Sequence, residues 1–296
     1  MKVVIATHNG VFHADDVFGC AILKTIWPEA TFVRTRDQDL LDSAYIRVDV
    51  GGKYDPHTRD YDHHQNTSLQ AACNLVWASF WPDFLIEVHG HPNDVNVEAV
   101  MAHVKKTLLD PISGLDCNFT QYAEENPIGV YKTVGQAIMD FNRVDMGDKV
   151  QLSQFEKAVE FASQVLRNCT YQALQRERHL KTIQSGTEMG EFALVLDAAL
   201  PYNEFRTEIP ATRKLLVYPD STNDGYCVVS LDVADFNLSN AAGEGLIFAH
   251  KVGFFTKWQT KYQAVEFAAR RSEVRSMEID TWSFEQNNGN GARYDR

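Results

Sequence analysis

The sequence predicts an α/β protein, with a parallel-sheet N-terminal domain followed by a smaller α/β domain. Three observations carry that expectation. From Lys2 to Trp81, short β-branched runs alternate with helical spacings of apolar residues, the rhythm that builds parallel sheets. A long helical stretch with one polar face follows, over 151–183. From Glu191 the chain returns to closely spaced strand-like runs.

The elements come in this order. Lys2 to Thr7 (KVVIAT) suits a buried strand. Asp15 to Trp27 carries Val17, Phe18, Ala21, Ile22 and Ile26 at helical spacing, and Pro28 ends it. Thr31 to Val33 is a second strand, and Tyr45 to Val50 a third, closed by Gly51-Gly52. Ala71 to Trp81 is a helix whose Trp77, Phe80 and Trp81 read as core, and Pro82 to Pro92 is a loop. Helices are expected over Val95–Leu109, Val130–Phe141 and Gln151–Ile183. Strands at Phe192–Leu196, Lys214–Tyr218 and Tyr226–Leu231 follow, with Asn223-Asp224-Gly225 as the turn before the last. Gln259 to Arg275 closes as a helix, and the polar, Gly/Asn-rich end over 286–296 is expected to be disordered.

The bulk numbers narrow the function classes. A chain of 296 residues, 44% hydrophobic and 23% charged, has the composition of a globular protein with a sizeable core. A net charge of -12 disfavours long duplex DNA, whose non-specific binding rests on Lys and Arg neutralising phosphates. It leaves room for a small phosphorylated ligand, because bound divalent ions reverse the local field. The five cysteines are odd in number and widely spaced, with no C-x-x-C, which speaks against a thiolate zinc site. No run approaches the roughly 18 apolar residues of a bilayer span, so the expected setting is cytoplasmic, with no membrane partner.

Four segments carry clustered His and Asp, and three of them follow expected strands. They are His8 to Asp16, Asp49 with Val50-Gly51-Gly52, Asp55 through Tyr61-Asp62-His63-His64, and Asn142 to Asp148. Any one Asp at such a junction is ordinarily a turn residue or a helix cap. Adjacent histidines flanked by Asp, together with carboxylates at neighbouring strand ends, point instead to a metal site. Mixed His and carboxylate donors suit Mn²⁺, Fe²⁺, Co²⁺ or Zn²⁺, and oxygen-rich sets lean to Mg²⁺ or Mn²⁺. Two such ions about 3.5–4 Å apart can lower the pKa of a shared water and hold phosphate oxygens. Asp49 is placed to bridge them. Arg34 or Arg36, after the second strand, either forks a phosphate or forms a surface pair with Asp37.

Asp62-His63-His64 resembles the signature of the DHH phosphoesterase superfamily. HNGVFHADDVFGCAIL, RTRD, VDVGGKYDP and YDHHQ resemble the melanocyte-proliferating-gene (Myg) family of metal-dependent hydrolases. LVYPD at Leu216–Asp220 and the His-x-x-Gly-Phe run at His250–Phe254 resemble that family's second domain. The resemblance implies a DHH-type catalytic domain over 1–150, a helical linker over 151–184 and a substrate-binding domain over 185–285. It implies His8, His13, Asp15, Asp49, His63 and Asp145 as metal ligands, with Asp148 open as the alternative to Asp145. His64 would contact substrate phosphate and Asp62 would orient a histidine. Asp16 would be either an acid behind the ligands or a helix cap. His250, Gly253 and Lys257 would meet substrate, although Phe255-Thr256 stands where the family has a Gly-Gly pair.

The expected activity is hydrolysis of a phosphodiester with two divalent metals, most simply Mn²⁺, on short single-stranded RNA or a small nucleotide; the family resemblance implies exonuclease action on RNA from its 3′ end. The rivals are a small-molecule phosphatase or pyrophosphatase and a non-catalytic nucleotide sensor. A homo-oligomer is compatible with the sequence.

Overall fold

The computed structural model describes residues 3–117, 133–222 and 224–273. The expected tail over 286–296, Asn223 of the expected turn, and parts of two expected helices (130–132 and 274–275) lie outside the described residues. The chain divides into two compact units at Glu177 and Arg178.

In the first unit, β1 (Val4–Thr7) runs parallel to β2 (Thr31–Arg34) on one side and β3 (Ile46–Val48) on the other. β3 is parallel to β5 (Asp60–Tyr61), and β4 (Tyr54–Asp55) closes the edge antiparallel to β5, giving the order β2-β1-β3-β5-β4. Ile5 and Ala6 are fully buried, as a strand covered on both faces requires. The register aligns Thr7 with Val48 and Val48 with Tyr61. The next residues along each strand, His8, Asp49 and Asp62, therefore emerge side by side at the carboxyl edge, where open α/β sheets bind ligands.

α1 (Ala14–Ile26) buries Val17, Phe18, Cys20, Ala21, Ile22 and Leu23 completely, and packs chiefly on α3 (Ala72–His89). α3 does not stop before Pro82. The expected loop over Pro82–Pro92 is helical to His89, because Phe84 and Leu85, 0% and 3% exposed, hold the continuation in the core against the proline's local cost. Trp77 is buried, and Phe80 and Trp81 pack beside it. α2 (Gln38–Ser43), capped by Asp37, has no counterpart among the expected elements. α4 (Val97–Val104) continues through a π-helical turn at Lys105–Leu109 into α5 (Asp110–Cys117). α6 (Val134–Met139) and α7 (Asp148–Gln184) follow. α7 buries Phe155, Ala158, Ala162 and Leu166 in the core of the first unit.

The second unit is built on a six-stranded sheet. Its strands are β6 (Thr187–Met189), β7 (Ala193–Val195), β8 (Leu215–Pro219), β9 (Tyr226–Ser230), β10 (Leu246–Ala249) and β11 (Phe255–Trp258), in the order β10-β11-β9-β8-β7-β6. β7 and β8 pair in parallel and the other neighbours antiparallel. Alternating side chains fill a core on each face. Leu194, Leu216 and Val229 lie on one, and Ala193, Val217 and Val228 on the other with a helix at 261–273. No helix among the described residues is long and apolar enough to cross a membrane.

Candidate metal centre

The carboxyl edge of the first sheet gathers a dense set of donors. Asp49 stands at its centre, 3% exposed and in the left-handed region at φ 57°. Asp is among the few side chains that tolerate this conformation. Gly51 and Gly52, at φ 97° and 64°, complete the turn. The two Asp49 oxygens face opposite ways. Oδ2 lies 3.3 Å from His8 Nε2, whereas Oδ1 lies 3.2 Å from His63 Nε2 and 3.5 Å from His64 Nδ1.

On the His63 side, Nε2 is also 3.3 Å from Asp116 Oδ2 and 3.7 Å from Asp15 Oδ2. On the His8 side, His8, His13 and Asp49 offer ligand atoms within 4.8 Å of one another. Several of these atoms are buried without a hydrogen-bond partner: both oxygens of Asp15, Oδ2 of Asp16, Oδ1 of Asp49 and Nε2 of His63. A buried polar atom left unpaired costs about 1–3 kcal/mol, more when charged, so such a cluster is not stable for its own sake. Donors that converge this closely, several of them without a hydrogen-bond partner, fit divalent cations, and a carboxylate with one oxygen toward each group fits a bridge between two.

The electrostatics agree. Burial drives the Asp15 carboxyl well above the ordinary range, and Asp49, Asp116 and Asp16 push it further. Burial, with repulsion from Asp49, raises Asp16 to about 7 against the pull of His8 and Arg34. Burial also opposes charge on Asp49, but His63 and His8 beside it hold it below the usual carboxylate range. Burial disfavours charge on both histidines, yet the carboxylates around them leave His8 and His63 raised.

The neighbours have separate duties. Asp62 is saturated: Oδ2 accepts from Gly52 N at 2.7 Å, and Oδ1 accepts from His64 N at 3.0 Å and from His64 Nδ1 at 2.7 Å. It orients His64, whose ring remains 64% exposed at a cleft of about 480 Å³ shared with Arg36, Gln38 and the Gly51-Gly52 turn. Asp16 does two things at once. Its Oδ1 accepts from His13 N at 2.9 Å and so caps α1, while Oδ2 lies 3.4 Å from His8 Nε2.

Arg34 does not fork outward. Its Nη2 donates to Gly10 O at 3.0 Å, and its guanidinium lies 5.1 and 4.9 Å from the Phe12 and Phe155 rings. Exposed Arg36 donates to Asn9 O and Oδ1, each at 2.7 Å, and lines the cleft. The surface pair with Asp37 is replaced by that residue's capping of α2.

The structure does not bring Asp145 to the cluster. It is exposed on the short turn Val144–Met146, and Asp148, also exposed, opens α7. The downstream carboxylate gathered there is Asp116, near the end of α5. A search of strand ends passes over it, because Gly114-Leu115-Asp116-Cys117 follows a helical run. Cys117 Sγ lies 3.6 Å from His63 Nδ1, on the ring's far side.

In the second unit, His250 and Gly253 lie in the turn between β10 and β11, and Lys257 lies on β11 opposite Cys227. His250 Nδ1 accepts from Val252 N at 3.2 Å, and its ring sits 4.4 Å from that of Phe254. Gly253 has φ 85°, and a Cβ there would fall 2.1 Å from Asn237 Oδ1. Lys257 Nζ is held 2.6 Å from Asp220 and 3.5 Å from Asp224.

Comparison with known proteins gives a family match over most of the chain. The model of an uncharacterised protein family (UPF0160) matches residues 4–213. A mouse protein named MYG1 exonuclease is 33% identical over 141 residues, 42% of this chain and 37% of its own length. The human MYG1 exonuclease is 31% identical over 141 residues, 42% of this chain and 38% of its own. The MYG1 protein of Dictyostelium discoideum is 22% identical over 324 residues, 90% of this chain and 96% of its own. The alignments with the two mammalian relatives thus span less than two fifths of those proteins. No solved structure matches.

Proposed function

Since the chain belongs to the uncharacterised protein family UPF0160, with mammalian relatives named MYG1 exonuclease, we propose that it is a metal-dependent phosphodiesterase of DHH type. The observation that carries this reading is Asp49, one oxygen toward His8 and the other toward His63, amid buried carboxylate oxygens without hydrogen-bond partners. His8, His13 and Asp49 would hold one divalent ion, and Asp15, Asp49, His63 and Asp116 a second. Mn²⁺ is the first candidate, because imidazole and carboxylate donors are mixed. Bound there, the pair would activate a water and neutralise charge on the phosphate.

The chain's own residues supply the rest. Asp62 fixes His64 by its Nδ1, leaving Nε2 free at the cleft. From there it can hold a phosphate oxygen or give a proton to the leaving oxygen. Arg36 adds a positive charge to the same cleft. A cleft of about 480 Å³ suits a nucleotide-sized group. A short single-stranded RNA or a small phosphodiester is therefore the proposed substrate, and the net charge of -12 argues against a long duplex.

The test is turnover of bis-p-nitrophenyl phosphate, dinucleotides and short RNA with Mn²⁺, Mg²⁺ or chelator. Diester hydrolysis that needs the ion is expected. Hydrolysis of p-nitrophenyl phosphate or pyrophosphate alone would make the protein a phosphatase. Ion binding with no turnover of any substrate would make it a nucleotide sensor.

A further inference from the structure

The loop that carries His13 is tied down by side chains from far along the chain. Asn142 Oδ1 accepts from Phe12 N at 3.0 Å, and its Nδ2 donates to Phe12 O at 3.0 Å. One amide thus takes both polar backbone groups of the residue next to His13. Gln151, 3% exposed, backs it: Nε2 donates to Asn142 Oδ1 at 2.6 Å and to Gly10 O at 3.0 Å, and Oε1 accepts from Arg143 N at 2.6 Å. Asn142 Nδ2 also reaches Met139 O at 3.1 Å. With every donor and acceptor in use, both amides have a single orientation.

We propose that Asn142 and Gln151 are positioning residues that hold the 9–13 loop so that His13 meets the ion shared by His8 and Asp49. The inference rests on the reading of the cluster as a metal centre. His8 directly follows β1, and Asp15 lies in a helix whose next residues are fully buried, so both are held by the core. His13 is exposed and depends on the loop. Arg36 holds Asn9, Arg34 holds Gly10 O and Asp16 caps His13 N, but both backbone groups of Phe12, the residue before His13, bond to Asn142. Partners one step behind a ligand typically change metal affinity by about 10–100-fold when removed.

The experiment uses the full chain and its Asn142→Ala, Gln151→Ala and double variants. Mn²⁺ titration is followed by the free-ion electron paramagnetic resonance signal, and hydrogen exchange is followed over 9–13. Each single variant should weaken one class of Mn²⁺ by about tenfold or more and leave the other within about threefold. The double variant should be no weaker than the worse single, because the amides act as one unit. Exchange over 9–13 should quicken in all three.

Unchanged exchange over 9–13 overturns the clamp. Faster exchange with unchanged Mn²⁺ binding, or equal weakening of both classes, overturns its role at the site. A wild type that binds no Mn²⁺ defeats the metal reading itself, while the exchange comparison still decides whether the clamp exists. Should Asn142→Ala fail to fold, Asn142→Asp, which keeps the acceptor for Phe12 N and loses the donor to Phe12 O, carries the comparison with Gln151→Ala.

Discussion

Replacing Asp15 by Asn separates what the cluster does for stability from what it does for ions. Asp15 is fully buried, its two oxygens have no hydrogen-bond partner, and Asp49, Asp116 and Asp16 repel its charge. Its folded pKa is therefore raised above the unfolded value. A group of this kind contributes against folding once pH exceeds the unfolded pKa, and the cost grows until the folded pKa is reached. In chelator at pH 7, protonating a carboxyl that titrates near 3.9 in the unfolded chain takes up to about three pH units, or about 4 kcal/mol. Asn is a neutral isostere and escapes that cost. Asp15→Asn is thus expected to be more stable than wild type in chelator by about 1–4 kcal/mol at pH 7, the difference shrinking toward zero near pH 4. Mn²⁺ at about 100 times its dissociation constant should add about 2.7 kcal/mol to wild type and less to the variant. Urea unfolding at pH 4 and 7, with chelator or Mn²⁺, reads both effects. A variant less stable than wild type in chelator at pH 7, or one that gains as much from Mn²⁺, would refute the reasoning.

Two further outcomes concern the fold. Asp60 is held below the ordinary carboxylate range: burial opposes it, but Thr58 and Arg47 outweigh burial. Its stabilising effect is present above the unfolded pKa and lost as pH falls through the folded one, so Asp60→Asn should lower stability at pH 7 and converge with wild type in acid unfolding below about pH 4; parallel pH curves would contradict this. Exposed Pro82 sits inside α3, so Pro82→Ala should raise the unfolding free energy by about 1–3 kcal/mol, and a lower urea midpoint would count against the account of that helix.

Much of the site is legible in the sequence because its donors follow strands. β1 and β3 are β-branched runs, and parallel pairing sets their next residues, His8 and Asp49, at one edge. Asp62 and His63 come after a strand too, but β5 has only two residues, too few to show a period. Local rules also fail at Pro82, where tertiary burial of Phe84 and Leu85 decides the outcome. Asp116 is hidden from such rules because it lies in a helix and its company is tertiary. Asn142 and Gln151 carry no chemical signature at all. They reach Phe12 and Gly10 only because the chain brings α6 and α7 back to the sheet edge. The segment around Asp145 stands out for its polarity, but its contact with the loop is made by Asn142.

The most direct test of the metal-centred account is diester turnover by Asp49→Ala and His63→Ala beside wild type, with Mn²⁺ and with chelator. The account predicts that wild type is active only with the ion and that each variant loses at least about two orders of magnitude, as expected when a ligand to catalytic ions is removed. Full Mn²⁺-dependent turnover by both variants would contradict it.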